Sequence, residues 1–233
     1  MIGRTGALAT GLGLGLGLTL ALRQAAAAPE ASQAEALVQS LVDRGMAILR
    51  DPSLKGPPGY EVRHQRLRSI ADQSFDWKEM ARRSLGPAWR DVDEAQRRRY
   101  VTSFADLLAN NYLTRLDLFK GDEQVTVGGA LPAGDGFEVR TTLVTHGGEQ
   151  VPLNYFVKRD GSSWRIYDVS IEGVSLTNHY RNTFSRFLVN HPFPELLDKI
   201  ERKHAALAPP SGRSSPGPGS KPGPAPAPGP GVR

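Results

Sequence analysis

Ser175 is the residue whose surroundings come closest to those of a catalytic nucleophile. It lies in YDVSIEGVSLTNHYRNTF, residues 167–184, a segment that predicts a strand, a sharp turn and a helix. The nucleophile of α/β-hydrolases occupies such a turn, but within the pattern G-x-S-x-G. Here the closing position is Thr177 instead of glycine, so the pattern is incomplete.

The partners that a serine nucleophile requires are also poorly placed. After Ser175 the candidates lie in helical or loop sequence, with no further strand to carry them: His179, His191, Asp198 and His204. A serine that begins a helix commonly accepts a hydrogen bond from a backbone N–H group of the first turn. We therefore predict that Ser175 caps the helix, and a secreted serine hydrolase using Ser175 is kept as an alternative function.

No other set of residues has the spacing of a catalytic or metal site. The five histidines are scattered without an HxxxH or HExxH pair, and cysteine is absent. Asp168 and Glu172 lie on one side of the last strand if it stays extended, but nothing else supports acid–base chemistry. We expect one of them to pair with Arg181 or to bond backbone groups at the turn. The sequence thus predicts that the protein is not an enzyme. It offers no catalytic residue, and no metal or cofactor is expected.

The net charge of +5 does not indicate a nucleic-acid partner. Five of the 29 basic residues lie outside residues 29–206, which leaves 24 basic residues against 24 acidic ones in that range. The run of three arginines at 97–99 is typical of a solvated helix face. Binding to nucleic acid depends on an excess of positive charge facing the phosphates, and this range has none.

The two ends of the chain have compositions unlike that of a folded domain. Residues 1–28 carry Arg4, an apolar stretch too short to span a membrane, and an alanine run suited to cleavage, the pattern of a secretory signal peptide. Residues 207–233 are rich in proline and glycine, which predicts disorder. The domain is therefore expected at residues 29–206. Without cysteine it has neither disulfides nor a lipid-modified N-terminus, which fits a bacterial periplasm.

Hydrophobic periodicity predicts helices, then strands, then helices again. A helical stripe covers residues 30–50, the KGPPG stretch at 55–59 predicts a turn, and Asp93 is placed to cap a long apolar helix. Four runs with a period of two follow, and two helices close the domain. The order indicates an α+β fold: a four-stranded, mainly antiparallel sheet with helices packed on one face.

Three stretches together resemble the MlaC family, the toluene-tolerance periplasmic phospholipid-binding proteins. They are FDWKEMARRSLGPAWR at 75–90, QRRRYVTSFADLLANNY at 96–112 and GSSWRIYDVSIEGVSLTNHYRNTF at 161–184. The resemblance extends over residues 35–203, and the GPPG stretch at 56–59 and the tail depart from it.

This resemblance implies a periplasmic shuttle that carries phospholipid with its acyl chains in an apolar cavity between sheet and helices. As an auxiliary component of an ABC-type transport system, such a carrier maintains outer-membrane lipid asymmetry. The implied partners are phospholipid, an MCE-type subunit of the inner-membrane ABC transporter and an outer-membrane lipoprotein complex, with the carrier itself a monomer. A hopanoid-associated lipid carrier of the same fold is a further alternative. The intact EGVSL stretch, with Asn178 and the Tyr180-Arg181 pair, favours the phospholipid branch.

The resemblance also implies roles for individual side chains. Four polar residues are expected to hold the junction between the last strand and the next helix: Asp168, Glu172, Asn178 and Arg181. Aromatic and aliphatic residues are expected to contact lipid: Phe75, Trp89, Phe104, Leu108, Tyr112, Val139, Leu143, Leu153, Tyr155, Val157, Tyr167, Val169, Ile171, Val174, Tyr180 and Phe184.

Overall fold

The computed structural model describes residues 14–207, and the side chains of residues 28–203. Within these residues, four α-helices precede a β-sheet and two α-helices follow it. The helices are α1 (Leu14–Arg50), α2 (Pro57–Ser74), α3 (Trp77–Leu85), α4 (Glu94–Leu116), α5 (Leu176–Leu188) and α6 (Phe193–Leu207). The strands are β1 (Gln124–Ala133), β2 (Gly136–Val144), β3 (Gln150–Asp160), β4 (Ser163–Ile171) and β5 (Val174–Ser175).

The predicted ends of the chain fall largely outside this range. The signal peptide expected at residues 1–28 is described only for its last part, where the backbone of residues 14–28 belongs to α1. The tail expected at residues 207–233 lies outside the described residues except for Leu207. Both assignments therefore stay predictions. Between residues 14 and 207, no helix combines the length and apolar character needed to cross a membrane.

The α+β fold is confirmed, with one strand more than predicted. The strands form a single antiparallel sheet in the order β1-β2-β3-β4-β5, so each strand pairs with its neighbours in sequence. The additional strand β5 is only two residues long and pairs with Ser170 and Ile171. It forms where the predicted sharp turn folds back along β4.

Two helix starts show how local chemistry sets the boundaries. The Asp93 side chain accepts a hydrogen bond from the N–H of Gln96 at 2.8 Å, which confirms the predicted cap of α4. Helix α2 begins at Pro57, inside the stretch predicted as a turn. That prediction was wrong because proline suits the first turn of a helix, where its missing N–H has no partner to lose. Of the predicted turn, the left-handed backbone conformation occurs at Gly56, directly before the helix, at φ +78°.

The described residues bury two hydrophobic clusters. One, the sheet core, lies between α1 and the sheet and is built around Val38, Val139, Val157 and Ile166, each with no exposed surface. The other, the helical core, lies among α3, α4, α5 and α6. Its fully or almost fully buried members include Met80, Leu85, Tyr100, Phe104 and Leu197.

Strand β4 connects the two cores. The N–H of Asp76, just before α3, donates to the carbonyl oxygen of Ile166 at 2.8 Å, and Phe75 packs against both clusters. These contacts place the start of α3 against one edge of the sheet. At the opposite edge, β1 pairs only with β2 among the described strands.

A register shift in β4 changes the face on which Tyr167 lies. Tyr155 pairs with Val169, but Val157 pairs with Ile166, so β4 has one more residue than β3 over this interval. Ile166 and Val169 consequently share the apolar face. Tyr167 instead contacts Phe156 on the other face, with ring centroids 6.3 Å apart. Strict alternation predicted Tyr167 beside Val169, and that prediction was wrong because of the extra residue.

Ion pairs to Glu79 join α3 to the sheet. The Glu79 carboxylate accepts hydrogen bonds from Arg82 at 2.6 Å and Arg83 at 2.8 Å, and Lys158 of β3 lies 3.2 Å away. Burial by itself would raise the pKa of Glu79, but the hydrogen bonds from the two arginines and the charge of Lys158 lower it to about 2. The guanidinium of Arg83 also covers the Tyr167 ring, 4.1 Å from its centroid.

We predict that Glu79 contributes to the pH dependence of stability. Its folded pKa lies below the ordinary value of 4.5, so its contribution is present above about pH 4.5 and is lost as the pH falls towards 2. Over that window the free energy of unfolding should fall by roughly 1–2 kcal/mol more in the wild type than in Glu79→Gln, a figure reduced for the partly exposed arginines.

Urea unfolding at a series of pH values measures this difference. Glu149→Gln, which neutralises an exposed carboxylate, serves as the control and should retain the wild-type dependence. A Glu79→Gln profile parallel to that of the wild type would contradict the prediction.

Candidate functional site

The apolar face of the sheet is covered over only part of its length. Near the β3–β4 turn, Phe137, Val157 and Ile166 occupy neighbouring positions on three strands and are 6%, 0% and 0% exposed. Val139 and Val169, further along the same face, are also buried. This half of the face is a filled core.

At the other end of the same strands, the apolar side chains are half-buried. These residues, here called the open half, are Val125, Leu143, Val151, Leu153 and Ile171. The register makes them one continuous patch, because Val125 pairs with Leu143, Leu143 with Val151, and Leu153 with Ile171. A contiguous, partly exposed apolar patch is a common mark of a binding surface.

Tyr155 lies at the boundary between the covered and open halves. It pairs with buried Val139 on one side and buried Val169 on the other, but is itself only half-buried. Burial nevertheless raises the pKa of its hydroxyl to about 12.

Helix α1 covers this face along strand β1. Near the start of the covered segment, the Glu35 carboxylate accepts a hydrogen bond from the N–H of Ala130 at 2.7 Å. Near its end, Arg50 donates to the carbonyl oxygen of Glu123 at 2.8 Å. The open half is therefore the part of the sheet face that lies opposite the end of α1, near the β2–β3 turn and the end of β4.

The proposed lipid contacts divide into separate groups. Val139, Leu153, Tyr155, Val157, Val169 and Ile171 belong to or pack against the sheet core. Trp89, Phe104, Leu108, Tyr112, Tyr180 and Phe184 belong to or pack against the helical core. The sequence analysis treated both groups as candidates for a single cavity, whereas the fold places them in two separate hydrophobic cores. Helix α5 joins the groups, since Leu176 packs on the sheet core, whereas Tyr180 and Phe184 pack on the helical core.

Other candidates differ in how much they can contact a ligand. Val174 is 49% exposed in the turn, next to Ser175, and belongs to neither core. Tyr167 lies on the opposite face, as described above. Val125 and Val151 complete the open half but were absent from the predicted contacts. Their alternation with polar residues on the same strands was the signal that could have revealed them.

The junction between β4 and α5 is organised by the buried carboxylate of Asp168. It accepts hydrogen bonds from the Ser175 hydroxyl, from the Thr177 hydroxyl at 2.8 Å and from the Thr177 N–H at 3.1 Å. It also accepts one from the N–H of Val169 at 2.8 Å. The expectation that Asp168 bonds backbone groups at the turn is thus met. Thr177, which is 2% exposed, is a partner that the sequence reasoning missed.

The other polar residues of the junction have different positions. Glu172 adopts φ +51° at the turn, and its N–H donates to the carbonyl oxygen of Pro152 at 2.9 Å. Among the described residues, neither Asp168 nor Glu172 forms an ion pair with Arg181. Arg181 instead lies against Gly86, where a Cβ would come within 2.8 Å of the guanidinium Nε. The Asn178 side chain is exposed, and its N–H donates to the Ser175 hydroxyl.

The geometry around Ser175 is that of a helix cap. Its Oγ accepts a hydrogen bond from the N–H of Asn178 at 3.1 Å and donates to Asp168. Within residues 28–203, no histidine forms a hydrogen bond with this hydroxyl, and His179 contacts the Tyr180 ring instead. The prediction that Ser175 caps α5 is confirmed.

Two further clefts lie away from the open half. One of about 370 Å³ separates α1 from α2 and is lined by Arg44, Ala47, Ile48, Arg66, Ser69 and Ile70. A groove of about 150 Å³ lies between α5 and α6, where Tyr180, Phe184 and Phe187 meet Lys199 and Lys203.

Within the described residues, no group of histidine, aspartate or glutamate side chains is arranged to hold a metal ion.

These features define an α+β domain whose antiparallel sheet presents an incompletely covered apolar face. The chain belongs to the MlaC family, since the family model described as MlaC protein matches residues 39–202. Among solved structures, it is similar to a phospholipid-binding protein from Ralstonia solanacearum in complex with a phospholipid. The two are 25% identical with a TM-score of 0.65, over 76% of this chain and 99% of that chain. No curated protein matches the chain.

We predict that Asp168→Asn lowers the free energy of unfolding by about 1–3 kcal/mol, because an amide nitrogen faces donors where an oxygen accepted them. Hydrogen exchange should rise first at β5 and the first turn of α5, and urea unfolding should give the loss in stability. Glu172→Gln, at an exposed position in the same turn, is the matched control and should cost less than about 0.5 kcal/mol. Equal losses in the two variants would argue against the role assigned to Asp168.

Ser175→Ala should cost about 1 kcal/mol, the ordinary contribution of a helix cap. Neither the wild type nor the variant is expected to hydrolyse a short-chain p-nitrophenyl ester. Ester turnover that disappears in a stably folded Ser175→Ala variant would support the hydrolase instead.

Proposed function

We propose that this protein is a periplasmic phospholipid carrier that holds acyl chains between the open half of its sheet and helix α1. The observation that carries the proposal is the change in burial along one apolar face, from fully covered at Val157 and Ile166 to half-buried at Leu143 and Leu153. A domain optimised only for stability would cover the whole face. Membership of the MlaC family and the phospholipid bound to the Ralstonia solanacearum protein support the choice of ligand.

The energetics of the ligand require such an apolar site. At about 0.8 kcal/mol per buried methylene, two acyl chains of ~15 methylenes each cost on the order of 24 kcal/mol to expose to water. A carrier that crosses an aqueous compartment must shield most of that surface. The five side chains of the open half are apolar, which suits the acyl chains and leaves the headgroup at the mouth.

The role that follows is transport without covalent chemistry. The protein takes phospholipid from one membrane complex and delivers it to another, with an outer-membrane lipoprotein complex and the MCE-type subunit of an inner-membrane ABC transporter as partners. This traffic would help to maintain outer-membrane lipid asymmetry. Export through the predicted signal peptide would bring the protein to the periplasm, where it would act as a monomer.

Native mass spectrometry of the exported, detergent-free protein tests the proposal, followed by lipid analysis of its organic extract. We expect phospholipid at close to one molecule per protein. A hopanoid in the extract would favour the hopanoid-associated carrier of the same fold. A lipid-free mass that persists after incubation with phospholipid vesicles would overturn the carrier function.

Substitutions in β2 test the location of the site. Leu143→Glu places a charge in the open half and should greatly reduce bound phospholipid, because a buried carboxylate beside acyl chains is unfavourable. Val144→Glu is the matched control, since residue 144 is also half-buried but alternates to the opposite face of the same strand. Equal lipid content in two folded variants would exclude the open half as the site.

A further inference from the structure

Gly45 occupies an unusual position on the core-facing side of α1. Ala34, Val38, Val42 and Leu49 on that side are 0%, 0%, 8% and 7% exposed. Gly45 falls between Val42 and Leu49 at spacings of three and four residues, which places it in the middle of the same stripe. It is nevertheless half-buried, so solvent reaches the helix from its core side at this point.

The space in front of Gly45 is open. A Cβ added there would meet no atom within 4 Å, apart from its chain neighbours and the nearby helix backbone. At Gly136, by contrast, a Cβ would lie 1.9 Å from the carbonyl oxygen of Val157, and at Gly59 it would lie 2.6 Å from the backbone of Leu54. Those two glycines are required by close backbone contacts, whereas Gly45 is not.

Local backbone structure does not require glycine at this position either. Gly45 lies within a regular helix and is not among the glycines with positive φ. Glycine in a helix interior is less stable than alanine, because it loses more conformational freedom on folding. Gly45 therefore lowers the stability of α1 and leaves a hollow beside the core.

The hollow lies over the open half of the sheet. Helix α1 contacts Ala130 through Glu35 and Glu123 through Arg50, so the fifteen steps from residue 35 to residue 50 extend alongside the seven steps from residue 123 to residue 130. The two segments have matching lengths of roughly 23 Å, at 1.5 Å per helical residue and 3.3 Å per strand residue. Gly45 is two-thirds of the way along, which places it beside Val125, whose partner across the sheet is Leu143.

We propose that Gly45 sets how much acyl chain the site accepts, by keeping this part of α1 away from the open half. The inference rests on the proposed phospholipid-carrier function and identifies the residue that limits chain length. Val42 and Leu49 on the helix and Val125 and Leu143 on the sheet are aliphatic, so the group that fills the hollow is an acyl chain and not a headgroup. A larger side chain at residue 45 would occupy the same volume and compete with the distal methylenes.

The test combines Gly45→Ala, Gly45→Leu and a matched control, Ala36→Leu, which adds a leucine at an exposed position of the same helix. Thermal unfolding is measured on delipidated, full-length protein. Refilling with phosphatidylethanolamines of 12- to 18-carbon chains follows, with bound lipid quantified by native mass spectrometry. Gly45→Ala should raise the melting temperature by about 2–4 °C.

Gly45→Leu should hold its melting temperature at or above that of the wild type and yet bind the longest lipids roughly tenfold more weakly, the equivalent of two displaced methylenes. Its preference should move to shorter chains, whereas Ala36→Leu should keep the wild-type preference. This opposite response of stability and lipid affinity is the signature of a filled hollow.

Two results overturn the inference while leaving the carrier function intact. One is a Gly45→Leu variant that has the wild-type affinity and chain preference. The other is a Gly45→Leu variant that melts at a lower temperature than the wild type, which would mean that the space is not open. A wild-type protein that takes up no phospholipid would overturn the carrier function, and with it this inference.

Discussion

Strand β4 has to serve two hydrophobic cores, and the extra residue between Ile166 and Val169 allows it to do so. With strict alternation, Tyr167 would enter the sheet core and Asp168 would lie on the other face from it. The register shift keeps Ile166 and Val169 on the apolar face. Tyr167 is then free to pack under Arg83, while Asp168 of the same strand bonds the start of α5. The helical core is thereby attached to the sheet at defined points.

Charged side chains in this protein mainly position secondary structure. Glu79 ties α3 to Lys158, and Asp168 ties β4 to α5. Arg63, which is 3% exposed, donates to Asp117 and so joins α2 to the end of α4. Breaking a buried ion pair leaves an uncompensated charge, so such contacts are costly to lose even where they add little net stability. They fix how these helices and strands pack around an apolar face that is left partly uncovered.

The incompletely covered face lowers stability, and the proposed function gives a reason for that loss. Every apolar side chain of the open half that stays in contact with water gives up part of the stabilisation that full burial would bring. Gly45 adds to that loss of stability, because a glycine in a helix interior weakens α1. In the proposed function, the open half would give an acyl chain a surface that needs no rearrangement of the core, since Val139 and Val157 of the covered half are already packed. On this proposal, lipid binding and stability would depend on different parts of one sheet.

The sequence alone determined the elements that depend on near neighbours. Alternation predicted four strands, helical stripes predicted most of the helices, and the caps at Asp93 and Ser175 followed from the spacing of polar residues. It also determined the family, through the three stretches that resemble MlaC. Hydrogen bonds within a turn and periodicity within an element are local, so they can be read without knowing the fold.

Only the tertiary structure decided which apolar residues are covered and which are left open. Val157 and Leu153 alternate identically in the sequence, and they differ because the sheet core packs more closely around Val157 than around Leu153. The position of Tyr167 depended on an unequal pairing of β3 with β4, which leaves no trace in the alternation of β4 itself. The empty space at Gly45 depended on how closely other segments of the chain approach that side of α1. Burial, register and separation are relations between distant segments, and periodicity within one segment does not determine them.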